Sequence, residues 1–295
     1  MLRHCFRHVL PAALMLIAMS GIAAAEPPAI KTGFIFTTHH SPFLVAASRG
    51  EAFRDFGVYL KPIVERESYE LIKNGKSIAI LELVVSKSGS ETATLFAQKH
   101  LDMGIASITA IMAGIDKGTP MKIVCPLQTE GMALVVPKNS SLSDWNSLAQ
   151  HIRNAAEPVK IGFHSPTSAP KIVLEGALLQ AGFKVTLDPS DTSADVLLVD
   201  LKETSNLLAA LSAGQVEAVV GPSPFPEVAQ TRGIGKVLAN LGDLPPAGQW
   251  KDFPCCVGVA SDSMRQKHPE IVAAFVDLIK RANAWCNEHP GEAGE

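Results

Sequence analysis

The chain has 295 residues, 47% hydrophobic and 19% charged, with a formal net charge of −3. That balance suits one or two globular domains with a large core and excludes a disordered chain. The weak acidic charge provides no broad basic surface, so nucleic acid is not expected as a partner.

Residues 1–25 read as an export signal. Arg3 and Arg7 form a basic start, residues 9–19 form an apolar run too short to span a bilayer comfortably, and Ala23-Ala24-Ala25 offers a cleavage site before Glu26. Cleavage after Ala25 removes two arginines and no acids, which moves the net charge from −3 to −5. The expected product is a periplasmic protein that does not itself span a membrane. It keeps Cys125, Cys255, Cys256 and Cys286, with no C-x-x-C spacing. Neighbours on a strand point to opposite faces, so Cys255 and Cys256 are not expected to ligate one metal together, and no bridge is expected between them because a vicinal disulfide strains the intervening peptide.

Residues 29–36 read as a first strand, running into Thr37-Thr38-His39-His40-Ser41-Pro42 and a helix over 43–53. Residues 58–64 look extended, 65–75 are polar and end in a turn, and 78–85 form a β-branched-rich strand. Ser86, Ser88, Gly89 and Ser90 lead into a helix that carries Leu95 and Phe96 and ends at His100. Residues 101–106 read as a short buried strand, and Ser107 to Thr109 opens the next helix, closed by Gly118-Thr119-Pro120. After a strand at 121–125, residues 126–131 interrupt the alternation. A strand at 132–136, a helix opened by Ser143-Asp144-Trp145 and a strand at 159–163 lead to His164-Ser165-Pro166-Thr167-Ser168. The following helix, 171–181, has Leu174, Ala177, Leu178 and Ala181 on one stripe. Short strands at 185–187 and 196–199, a helix at 205–213 and a strand at 217–220 precede a second interruption at 221–226. A strand at 255–260 and a final helix opened by His268-Pro269-Glu270 complete the order.

Strands alternating with helices argue for an α/β protein with mainly parallel sheets. His-Ser-Pro occurs at 40–42 and again at 164–166, each between a strand and a helix, which points to two similar lobes. The two interruptions imply two crossovers, giving lobe 1 as 29–128 with 223–295 and lobe 2 as 129–222. The hinge is expected at Gln128, Thr129, Glu130, Gly131, Gly221 and Pro222. Catalytic signatures are missing: there is no G-x-S-x-G, P-loop or H-E-x-x-H, and adjacent His39 and His40 diverge in an extended segment. No enzymatic activity, cofactor or metal is expected.

An ordered set of short motifs spans nearly all of the chain after residue 25. It comprises His40-Ser41-Pro42 with Ala46 and Gly50, Ser88-Gly89-Ser90, Leu101-Asp102-Met103-Gly104, Gly118-Thr119-Pro120, Gly214 with Glu217-Ala218, and His268-Pro269-Glu270 with Phe275. In this set the chain resembles the substrate-binding proteins of ABC importers, in the nitrate/sulfonate/taurine group that also contains thiamine-precursor binders. The resemblance implies a two-lobed type II periplasmic binding fold with a ligand site between the lobes. It also implies an ABC permease and its ATPase as partners. Residues 58–85 are longer than is usual at that point.

Helix N-termini carry unpaired N–H groups and partial positive charge, and two of them facing one cleft suit a small polar or anionic molecule. The expected ligand-binding residues are His40, Ser41, Ser88, Gly89, Ser90, Ser107, His164, Ser165, Thr167, Ser168 and Lys171. Two alternatives stand beside delivery to an importer. One is a periplasmic sensor or adaptor that contacts a membrane partner. The other is an enzyme like the fungal thiamine-pyrimidine synthase, whose cysteine-rich motif Cys255-Cys256 is too short to match.

Overall fold

The structure is a computed structural model that describes residues 26–295. The export signal read in residues 1–25 lies outside the described residues.

Two sheets organise the chain. The first contains β1 (Ala29–Phe34), β2 (Val58–Val64), β3 (Ser68–Lys73), β4 (Lys76–Val85), β5 (Met103–Ser107), β6 (Met121–Thr129) and β13 (Pro254–Ser261), in the spatial order β2-β3-β4-β1-β5-β13-β6. The second contains β7 (Met132–Pro137), β8 (Val159–Phe163), β9 (Val185–Thr186), β10 (Val196–Asp200), β11 (Ala218–Pro222) and β12 (Gly235–Asn240), in the order β12-β7-β11-β8-β10-β9. The helices are α1 (Ser41–Arg49), α2 (Gly89–Ala97), α3 (Ile108–Asp116), α4 (Trp145–Asn154), α5 (Ala169–Gln180), α6 (Asn206–Ser212), α7 (Phe225–Thr231), α8 (Asp262–Lys267), α9 (Pro269–Glu288) and α10 (Pro290–Gly294). No helix among the described residues is long and apolar enough to cross a membrane.

The alternating α/β pattern expected from the sequence holds, with one difference in the first sheet. Parallel pairing there is confined to β1 with β4 and β5, while β2-β3-β4 and β5-β13-β6 are antiparallel. The cause is local. Asn74 and Gly75 both take left-handed φ values, 50° and 76°, in a two-residue turn that forces β3 and β4 into a hairpin. The polar stretch at 65–75 is therefore largely strand β3, with Tyr69 and Leu71 buried on its inner face. At the sheet's centre, a Cβ on Gly104 would lie 2.8 Å from the Gly33 carbonyl oxygen, so this close approach of β1 and β5 needs glycine.

The chain passes between sheets twice. The first passage is the turn Glu130–Gly131, both left-handed (φ 57° and 65°), between β6 and β7. The second differs from the expected one. Gly221 and Pro222 lie inside β11, paired with Ala133 and Met132 of β7. Pro224 and Pro226 start helix α7 rather than a crossover, a position where a missing N–H costs nothing. Strand β12 then pairs antiparallel with β7, so the chain returns only between Asn240 and Pro254. The two passages touch: Glu130 N–H donates to the Phe253 carbonyl at 3.2 Å, and Asp252 N–H donates to Glu130 Oε1 at 3.0 Å.

Candidate functional site

The carboxyl ends of β1, β4 and β5 face those of β8 and β11 across a cleft. A cavity of about 40 Å³ remains between them. Six of the expected ligand-binding residues line it: His40, Ser88, Gly89, Ser107, His164 and Ser168. Three helices point their N-termini at this space, through Gly89 of α2, Ser107 before α3 and Ala169 of α5.

The two histidines are positioned by their strand ends. Ile35 N–H donates to His40 Nδ1 at 3.0 Å, so the neutral ring carries its proton on Nε2. Burial, helped by the neighbouring His39, pushes the His40 pKa down to about 3. Burial likewise pushes His164 down to about 4, against a weaker pull from Asp200. Both rings are neutral at physiological pH. His40 Nε2 and His164 Nδ1 are buried with no hydrogen-bond partner among the described residues. A buried polar atom left unpaired costs about 1–3 kcal/mol, so each favours a ligand atom that pairs with it.

The remaining expected residues sit elsewhere. Ser90 Oγ lies 2.7 Å from Ser165 Oγ and 2.8 Å from Thr167 Oγ1, joining the two lobes directly. Ser41 begins α1 and does not line the cavity. Lys171 is buried but pairs with Glu175 at 2.6 Å, one turn further along α5, and its charge is spent there.

A second group of residues lines the same cavity and was not anticipated: His39, Cys255 and Cys256. The expectation that the two cysteines diverge fails because β13 is irregular there. Its register against β6 shifts on both sides of Cys256, beside Pro254 and opposite Pro126. Such a bulge breaks the strict alternation of faces, and it brings the two Sγ atoms to 3.8 Å. Pro126 and Pro254, which cannot donate to a ladder, are the sequence signal for it. All four cysteines among the described residues are free thiols. His39 Nδ1 lies 2.9 Å from Cys255 Sγ and 4.0 Å from Cys256 Sγ, and His39 Nε2 lies 2.8 Å from the Gly131 carbonyl oxygen.

These contacts set the electrostatics. A hydrogen bond from Cys256 and the His39 ring outweigh burial and bring the Cys255 pKa down to about 6. The same bond and burial push Cys256 up. Burial alone would lower His39, but Cys255 and the Gly131 carbonyl hold it above its ordinary value.

Comparison with known proteins gives the same architecture. The chain is 31% identical to the uncharacterized protein MJ1180 of Methanocaldococcus jannaschii over 116 residues, 39% of this chain and 80% of that protein. It is similar in structure to the alkanesulfonate-binding protein SsuA from Xanthomonas axonopodis pv. citri bound to MOPS, with a TM-score of 0.66 and 16% identity over 92% of this chain and 78% of that one. It is also similar to the periplasmic nitrate-binding protein NrtA from Synechocystis PCC 6803, with a TM-score of 0.66 and 18% identity over 91% of this chain and 65% of that one. At these identities the likeness is one of fold, and the fold is the two-lobed periplasmic binding protein fold expected from the sequence. The model of the NMT1-like family matches residues 23–295, and the chain belongs to that family.

Proposed function

We propose that this chain is an exported solute-binding protein that closes two lobes on a small polar, anionic molecule and delivers it to an ABC permease with its ATPase. The observation that carries this reading is the pair of unpartnered buried nitrogens, His40 Nε2 from one lobe and His164 Nδ1 from the other, in one interlobe cavity. His40 Nε2–H offers a neutral donor, and three helix N-termini add partial positive charge without a side-chain cation. That combination favours an anion that is small or diffuse in charge. A cavity of about 40 Å³ has room for about three water-sized groups in this closed arrangement, so a larger ligand needs the lobes to part. The nitrate- and alkanesulfonate-binding neighbours support the same ligand class. The proposed role is binding, with no chemical step. Lobe 1 takes the first sheet, lobe 2 the second, and the hinge takes Glu130–Gly131 with the return passage before Pro254.

A thermal-shift panel of nitrate, bicarbonate, sulfonates, small carboxylates, phosphates and thiamine precursors tests the reading. A ligand at about 100 times its Kd stabilises the folded chain by roughly 2.7 kcal/mol, a melting shift of several degrees at this size. A ligand that shifts wild type and a His40→Ala, His164→Ala double variant equally would place the site elsewhere. Intact mass of the exported protein checks cleavage, with Glu26 expected as the first residue.

A further inference from the structure

We propose that His39 Nδ1, Cys255 Sγ and Cys256 Sγ form a Zn2+ site in the wall of the interlobe cavity. The assignment goes beyond solute binding and stands whichever small molecule the cleft takes.

The geometry is that of three ligands around one ion. With metal–sulfur bonds of about 2.3 Å and metal–nitrogen bonds of about 2.0 Å, tetrahedral coordination sets sulfur–sulfur and sulfur–nitrogen separations of about 3.8 and 3.5 Å. The observed sulfur–sulfur separation is 3.8 Å, and the two sulfur–nitrogen separations, 2.9 and 4.0 Å, bracket the second value. A small tilt of the His39 ring equalises them. All three residues are buried. The fourth position faces the cavity that the three residues line, where water or a ligand atom completes the shell.

The supporting contact is also in place. Ring orientation in metal-bound histidines is fixed by a hydrogen bond from the other nitrogen, commonly to a backbone carbonyl. His39 Nε2 has such a partner in the Gly131 carbonyl at 2.8 Å, which leaves Nδ1 as the ligating atom. Gly131 belongs to the turn between the two lobes, so the site is tied to the hinge. The donor set selects the ion: two thiolates and an imidazole suit a soft or borderline metal rather than Mg2+ or Ca2+. Two thiolates neutralise a divalent ion, whereas Cu+ would leave a buried negative charge.

The proton count follows. Without metal the three donor atoms hold two protons, one shared by His39 Nδ1 and Cys255 Sγ and one on Cys256 Sγ. Coordination displaces both to solvent, so Zn2+ affinity rises with pH.

The test uses the whole exported chain, stripped with a chelator and kept reduced with a phosphine. Titration with Co2+ should give a thiolate-to-cobalt charge-transfer band that saturates at one ion per chain and vanishes on adding Zn2+. About two protons per Zn2+ should appear in weakly buffered solution. Cys255→Ser and Cys256→Ser should each weaken Zn2+ binding by more than the roughly 10- to 100-fold that losing a supporting contact costs. Cys125→Ser and Cys286→Ser should leave it unchanged. The wild-type cobalt spectrum decides the matter even where a variant fails to fold. Absence of the band, equal Zn2+ binding by the Cys255 and Cys256 variants, or uptake of Cu+ without Zn2+ would overturn the assignment. The anion thermal shift is measured separately on the stripped protein, so failure of one reading is distinguishable from failure of the other.

Discussion

Ser90 Oγ, in the first turn of α2, lies 2.7 Å from Ser165 Oγ, just past the end of β8, so a side chain of one lobe is hydrogen-bonded to a side chain of the other. Three further contacts cross at the same level. Thr109 Oγ1 donates to the Thr167 carbonyl, Ala169 N–H donates to Ser107 Oγ at 3.3 Å, and Lys87 pairs with Glu203 at 3.1 Å. The hydroxyls of Ser90, Ser165 and Thr167, expected from the sequence as ligand contacts, pair with one another in this structure and form a latch between the lobes.

The latch gives the first prediction. Ser90→Ala removes two hydroxyl contacts that join the lobes, each worth about 0.5–1.5 kcal/mol net. A ligand that needs closure should therefore bind roughly 5- to 150-fold more weakly, the equivalent of about 1–3 kcal/mol for the two contacts together. Ser90→Glu places a longer, charged side chain between the lobes and should hold them apart. Small-angle scattering should show ligand-induced compaction in wild type and none in Ser90→Glu. Compaction of that variant to the wild-type radius would remove Ser90 from the closing surface.

Gly131 carries a second prediction. Its φ of 65° is left-handed, and a Cβ there would lie 2.6 Å from His39 Nε2. Gly118 shares the backbone requirement, with φ 87°, but has nothing within 4 Å of the added atom. Gly118→Ala should cost about 1–2 kcal/mol of stability, the backbone penalty alone. Gly131→Ala should cost more and should also displace the His39 ring. Chemical denaturation of both variants reads the difference, and equal losses would mean that the His39 contact is soft.

How much of this was legible in the sequence depends on distance along the chain. Strand and helix positions follow from local periodicity: the stripe of Leu174, Ala177 and Leu178 is buried on α5, as its spacing requires. His40 and His164 were readable because each precedes Ser-Pro at a strand end, and both reach the cavity. The cluster of His39 with Cys255 was not readable. Its members are 216 positions apart and meet only because β13 inserts between β5 and β6. The return passage was misplaced for a related reason. A Pro-rich stretch signals a break in the chain but not which sheet the next strand joins, and β12 pairs back onto β7. Lys171 was expected among the ligand-binding residues, yet Glu175 lies one turn away on the same helix and pairs with it.

The Lys171–Glu175 pair yields the third prediction. Lys171 is only 6% exposed, whereas Glu175 is half-buried. Glu175→Gln leaves a buried ammonium with a weaker partner and should cost roughly 1–3 kcal/mol. Lys171→Met removes the charge together with its need for a partner and should cost less. Neither change should alter ligand affinity, because Lys171 does not line the cavity. Thermal melts with and without ligand separate the two quantities. A large loss of affinity in Lys171→Met with stability intact would return Lys171 to the binding site.

The last prediction concerns acid. Burial lowers the pKa of His40 to about 3 and of His164 to about 4, from an ordinary value of 6.5. The unfolded chain takes up both protons near 6.5, while the folded chain refuses them until far lower pH. The unfolded state therefore binds more protons throughout that interval, and stability falls as pH falls. The contribution is complete above about 6.5 and is lost progressively down to about 4 for His164 and about 3 for His40. Other titrating groups act largely outside the window. His39, held above its ordinary value, contributes stability that is complete below 6.5 and is lost only as pH rises through its folded pKa. Cys255, lowered from 9.0 to about 6, loses its contribution as pH falls from 9.0 to about 6. Exposed Asp144 and Asp188 are held below an ordinary value of 3.8 and act at still lower pH. Between pH 6 and 4.5 the two buried histidines should therefore dominate, with a slope of roughly 2 kcal/mol per pH unit. His40→Asn keeps an acceptor for the Ile35 N–H and removes the titration, so it should about halve that slope. Denaturant midpoints at intervals of half a pH unit measure both slopes. An unchanged slope in His40→Asn would mean that His40 already carries charge in the folded chain, and the neutral Nε2–H donor on which the ligand reading rests would be lost with it.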